Sequence, residues 1–118
     1  MKSVLFIFIL TLLNNEAFGG INQMILETKD VAGLKIEEQG NSHRGNVILV
    51  SGLAFHSALA VDKIITKTNS DSSITMLVYL STARSGMSGR FKYEINIPPN
   101  INTVTFGNEK VIIWKNKS

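Results

Sequence analysis

The chain has no cysteine. That excludes disulfides, thiol catalysis, thiolate metal sites and thiol redox chemistry. A small domain without these staples relies on its apolar core to offset chain entropy. Proline is limited to the adjacent Pro98 and Pro99, so almost no stretch is barred from a sheet by a missing N–H. Histidine is equally scarce. His43 and His56 fall in different segments and in no His-x-x-x-His or His-Glu pair, so their spacing gives no metal site. His43 beside Arg44 reads as a solvated loop residue. His56, among Phe55, Ala58 and Leu59, reads as a semi-buried, hydrogen-bonded one. An excess of one charge is missing too: 12 Lys+Arg against 9 Asp+Glu leave a net +3, and the basic residues are dispersed. No basic stripe tracks a phosphate backbone, so nucleic acid is not an expected partner.

Catalytic signatures are also missing. Gly86-Met87-Ser88-Gly89 lacks the spacing of a Gly-x-Ser-x-Gly elbow, and its flanks read as strands, so no helix follows to help an oxyanion. There is no Ser-x-x-Lys pair and no phosphate-binding loop leading into a helix. Glu37 and Glu38 are adjacent, so on a strand they point to opposite faces and do not form an acid–base pair. We expect no enzyme activity, no cofactor and no metal.

What is present begins at the N-terminus. Lys2 supplies a positive start, and Val4 to Leu13 is apolar except for Thr11. Asn14-Asn15-Glu16 and the small-residue exit Ala17-Phe18-Gly19 follow. This is the order of a secretory signal peptide, with cleavage expected after Gly19. The apolar run is far shorter than the ~20 residues of a membrane-spanning helix, so no stable membrane anchor is expected. Residues 1–19 are therefore read as the signal peptide and residues 20–118 as one domain. Its expected location is exported, periplasmic or extracellular.

The domain reads as short strands. Phe91, Tyr93, Ile95 and Ile97 alternate with Lys92, Glu94 and Asn96, the period of a strand with one wet face. Ile74, Met76, Val78 and Leu80 alternate with Thr75, Leu77 and Tyr79. Leu34–Glu37, Lys63–Thr68, Val104–Phe106 and Val111–Trp114 add further strands, and Met24–Leu26 an edge strand or loose arm. The β-branched run Val47–Val50, ended by Ser51-Gly52, predicts a central strand buried on both faces. Glu38–Asn46 and Asn69–Ser73 are rich in turn formers. Leu53–Val61 predicts an irregular crossover. About seven strands with regular turns and no long helix predict an all-β, immunoglobulin-like antiparallel β-sandwich, with a small β-barrel as the alternative.

Surface recognition remains as the function class. β-Sandwiches bind through end loops or strand edges. The candidate loops are Glu38–Asn46, Leu53–Ser57, Asn69–Ser73 and Ser81–Arg90; the last, STARSGMSGR, is the longest expected connection, read as a hairpin, and Arg84, Met87 and Arg90 are its candidate partner-contact residues. Arginine supplies a planar donor fork and methionine an adaptable apolar contact. Small size, export and no catalytic set point to a non-catalytic binder of another protein, such as a periplasmic immunity or inhibitor protein. One alternative is a structural or assembly subunit of the cell envelope using an exposed strand edge. Another is a carbohydrate-binding module stacking a sugar on Trp114. The expected partner is a protein; oligomeric state is not legible.

Overall fold

A computed structural model describes residues 24–42, 45–55 and 58–116. Residues 1–19, read from sequence as a signal peptide, and His43 and His56 lie outside the described residues. Eight strands are described: β1 (Met24–Ile25), β2 (Val31–Ser42), β3 (Gly45–Ala54), β4 (Leu59–Thr68), β5 (Ser73–Thr82), β6 (Arg90–Ile97), β7 (Thr103–Phe106) and β8 (Val111–Lys115). A single 3-10 turn, Thr28–Asp30, precedes β2.

The strands form two unclosed sheets, five-stranded and three-stranded, so the barrel alternative does not hold. In the larger sheet β5 is the hub. Antiparallel β4 lines one edge of it. The other edge is shared: β7 runs parallel along Ser73–Met76, and β1 runs antiparallel along Tyr79–Leu80. β8 then pairs with β7. The smaller sheet has the order β2-β3-β6, antiparallel throughout. The expected all-antiparallel pairing is thus corrected at β5–β7.

The two sheets pack face to face through the side chains that the strand period directs inward. Ile48, Val50, Phe91, Ile95 and Ile97 from one sheet meet Ile74, Met76, Val78, Leu80, Val104 and Phe106 from the other in one buried cluster. The Phe91 and Phe106 rings approach across the interface with centroids 6.2 Å apart. Trp114 of β8 is buried and donates from Nε1 to Glu38 Oε2 of β2 at 2.9 Å, tying the two sheets along one side.

Three further expectations change. Glu38–Asn46 is mostly strand, because register shifts between Ala32/Lys35 and Glu38/Gly40 absorb its turn formers inside a long β2–β3 hairpin. β3 does not end at Ser51-Gly52 but runs on to Ala54. It is central in its sheet, yet only its inner face is fully buried, since Val47 and Leu49 on the outer face are half-buried. Conversely β5 is buried on both faces from Ser73 to Val78.

The β1–β7 junction fixes the N-terminal strand to the last hairpin. The N–H of Leu26 donates to Val78 O, and the N–H of Gly107 to Met76 O, so the two chain segments meet on one edge of β5. Glu27 accepts from the backbone N–H groups of Asn108 (3.0 Å) and Glu109 (3.2 Å). Gly107 is required here. Its φ is +79°, and a Cβ would run into the Glu27 carboxylate.

Candidate functional site

β5 and β6 lie in different sheets, so the segment STARSGMSGR is a crossover between sheets and not a hairpin. Its first two residues, Ser81 and Thr82, belong to β5, and its last, Arg90, opens β6 opposite Leu53. The irregular part is short. Met87 N–H donates to Arg84 O at 3.0 Å, closing a four-residue turn, and Gly86 sits inside that turn at φ +87°. Arg84, Ser85 and Gly86 are exposed at the tip, and Met87 is half-buried.

Backbone hydrogen bonds seat the crossover on both sheets. Ser88 O accepts from Val61 N–H of β4 at 2.9 Å, and Gly89 O accepts from Ala54 N–H of β3 at 2.7 Å. Ser88 Oγ accepts from Arg90 N–H at 3.0 Å. The β4 contact falls where its register shifts between Val61 and Lys63, a bulge that holds Asp62. The side chains of Arg84, Met87 and Arg90 therefore project from a segment whose backbone is pinned at two points.

The other crossover, between β3 and β4, lies at the same end. Ala58 O accepts from Ala83 N–H, and Phe55 N–H donates to Asp30 O. Phe55 follows Ala54 at the point where Ala54 meets Gly89, and it is 76% exposed. The structure thus brings Phe55 to the end that carries Arg84, Met87 and Arg90. The sequence pointed to the neighbourhood, since Phe55 lies in the segment read as irregular. Phe55 also lies in the candidate loop Leu53–Ser57, but no local pattern singles out this aromatic as solvent-facing.

Arg84 and Arg90 have exposed side chains and no ion-pair partner among the described residues. Beside Arg90, a shallow groove of ≈ 730 Å³ opens on the outer face of the three-stranded sheet. It is lined by Gly33, Ser51, Leu53, Ser88, Arg90 and Lys92, among others.

The remaining candidate residues are placed elsewhere. Glu37 pairs with Lys35 at 3.2 Å on the outer face, while Glu38 turns to Trp114. The two carboxylates point apart, as adjacent strand residues must. Trp114 is 8% exposed, so its ring is not laid open for a sugar to stack on. Asp71 accepts from the Ser73 hydroxyl, which holds its carboxyl below the ordinary carboxylate range. No group of His, Asp and Glu suited to a metal ion occurs among the described residues. A second groove runs along β8, between Ile36 and Glu38 on one side and Ile112 to Asn116 on the other, where Ile112 is 54% exposed. No protein-family model, curated protein or solved structure matches the chain.

Proposed function

We propose that this chain is a small exported protein that binds another protein without catalysis, through the crossover end of its sandwich. The observation that carries the reading is Phe55. A large aromatic exposed to this degree, at the same end as two arginines unpaired among the described residues and a half-buried methionine, has the composition of an interface anchor. The pinned backbone around it favours recognition over floppy solvation. Neutralising a periplasmic toxin or inhibiting an exported enzyme is the role we assign. It is supported by the signal-peptide pattern at residues 1–19 and by a sequence without cysteine, serine-elbow or phosphate-loop signatures. The immunoglobulin-like description of the sandwich rests on size, strand count and two-layer packing; the parallel β5–β7 pair is where it departs from that plan.

The test is capture from envelope extract with wild-type protein and with the quadruple variant Phe55→Ala, Arg84→Ala, Met87→Ala, Arg90→Ala. The partner should be lost with the melting temperature unchanged. Capture that survives all four changes sinks the reading.

A second reading has its own observation. β8 carries the apolar run Val111–Trp114 at a sheet edge left unpaired among the described strands, with Val111 and Ile112 exposed. β4, β2 and β6 instead carry Lys63 and Lys67, Lys35 and Glu37, and Arg90, Lys92 and Glu94, charges of the kind that discourage edge pairing. An assembly subunit of the cell envelope would add a neighbour's strand at β8. Sedimentation at rising concentration decides: Ile112→Lys abolishes any oligomer on this reading, and a wild-type protein that stays monomeric excludes self-assembly through that edge.

A further inference from the structure

We infer that the groove beside Arg90 takes an extended acidic segment of the protein partner, with two acidic side chains two residues apart and a basic one two residues further on. This rests on the protein-contact reading and names the chemistry of what is bound. The argument is the order of charge along one sheet face. Arg90, Lys92 and Glu94 alternate with the buried Phe91, the half-buried Tyr93 and the buried Ile95, so all three point outward from β6. Their order along the strand is positive, positive, negative.

Across the uncharged β3, β2 repeats the last two steps of that order. Lys35 of β2, Ser51 of β3 and Lys92 of β6 share one cross-strand row. Glu37, Leu49 and Glu94 share the next. The face is therefore positive at the crossover end and turns negative one row further in. Lys35 is already paired with Glu37, whereas Arg90 and Lys92 have no side-chain partner among the described residues. The two free cations flank the groove whose walls include the hydroxyl-bearing Ser51 and Ser88 and the apolar Leu53.

Spacing selects the occupant. Arg90 and Lys92 stand one strand period apart, about 7 Å. A single small anion can engage the two cations but leaves Glu94 unmatched and facing a like charge. An extended peptide has the same period, so alternate side chains of one segment meet Arg90, Lys92 and Glu94 in turn. Arginine can grip its carboxylate with two N–H groups, and lysine acts as a point charge. Leu53, opposite Arg90 on β3, gives the segment's aliphatic stems apolar contact.

The test is fluorescence polarisation of two rhodamine-labelled peptides, acetyl-Asp-Val-Glu-Val-Lys-amide and its charge reversal acetyl-Lys-Val-Lys-Val-Glu-amide, with the purified protein. The first should bind about five- to tenfold more tightly, the gain expected from two exposed ion pairs. That preference should vanish in the double variant Arg90→Gln, Lys92→Gln, whose exposed positions leave the melting temperature in place. It should persist in Phe55→Ala, which lies outside the groove. Equal binding of the two peptides overturns the inference. So does a preference that survives the double variant, or displacement of the acidic peptide by inorganic phosphate at an ionic strength where sodium chloride has no effect. Partner capture separates the two levels: peptides indifferent to Arg90 and Lys92 sink the groove alone, while a partner indifferent to Phe55 and the loop residues sinks the contact site itself.

Discussion

The two ends of β5 treat polar groups in opposite ways. At the Ser73 end, every polar side chain that the packing encloses finds a partner inside the protein. Asn69 Nδ2 donates to Ser73 Oγ at 2.9 Å and to Thr75 Oγ1 at 2.8 Å. The Ser73 hydroxyl donates to Asp71 Oδ1, and the hydroxyls of Thr75 and Thr105 share a bond of 2.9 Å across β5 and β7. At the Thr82 end, the Ser81 hydroxyl is buried without a partner among the described residues, and Arg84 and Arg90 point outward, likewise unpaired among them. A closed polar network holds structure; outward donors and an exposed ring are spare capacity for a partner. The difference is what favours the crossover end in the proposed reading.

That contrast can be broken at four places. The largest effect is expected at the open end. Phe55→Ala should weaken partner binding by about thirtyfold or more, the scale of an interface anchor. It should move stability by no more than about 0.5 kcal/mol, as for a surface change. Affinity titration beside thermal melts separates the two. An equal loss in both would make Phe55 a packing residue.

The closed end should respond in stability alone. Thr75→Val removes the hydroxyl that faces both Asn69 and Thr105, leaving the buried Thr105 hydroxyl without its partner. The expected cost is about 1–3 kcal/mol, read from urea denaturation. Thr75→Val combined with Thr105→Val should cost less than the sum of the single changes, because both partners are then apolar.

Ser81→Ala sharpens the comparison by its sign. Deleting a buried, unpaired hydroxyl should leave the protein unchanged or more stable by up to about 1 kcal/mol. A clear loss in a melting experiment would mean that the open end is as closed as the other.

The smallest effect is at Asp71. The Ser73 hydroxyl lowers its folded pKa, so the contribution is present above the unfolded value near 4 and is lost as pH falls through the folded value. Asp71 is exposed, so the effect is slight. Asp71→Asn should flatten the acid limb of stability against pH and leave the neutral region unchanged.

Much of the fold was legible because it rests on local periodicity. The alternations Phe91–Ile97 and Ile74–Leu80 each give a strand with the expected inner residues, including Phe91, Ile95, Met76 and Val78. Sheet membership was not legible, since pairing is decided by residues far apart in sequence. STARSGMSGR lies between two strands, but only the pairing of β5 with β4 and of β6 with β3 shows that it crosses between layers. Turn composition misled at Glu38–Asn46, where bulges keep the chain paired through Gly40. The parallel β5–β7 pair has no local signature at all. For the site, Arg84, Met87 and Arg90 could be named from residue type and loop context. Phe55 was reached only through its candidate loop Leu53–Ser57, because the exposure of a single aromatic is a tertiary property. The charge order on β6 was present in the sequence as Arg90, Lys92 and Glu94, but its meaning depends on the matching rows of β2 and β3.

The central claim is that the crossover end is where this protein meets its partner. Amide hydrogen exchange of the free and partner-bound protein tests it most directly. The account predicts new protection in the segment around Phe55 and from Ala83 to Arg90, with Asn69–Ser73 unchanged. Protection confined to Asn69–Ser73, or running along β8, would contradict it.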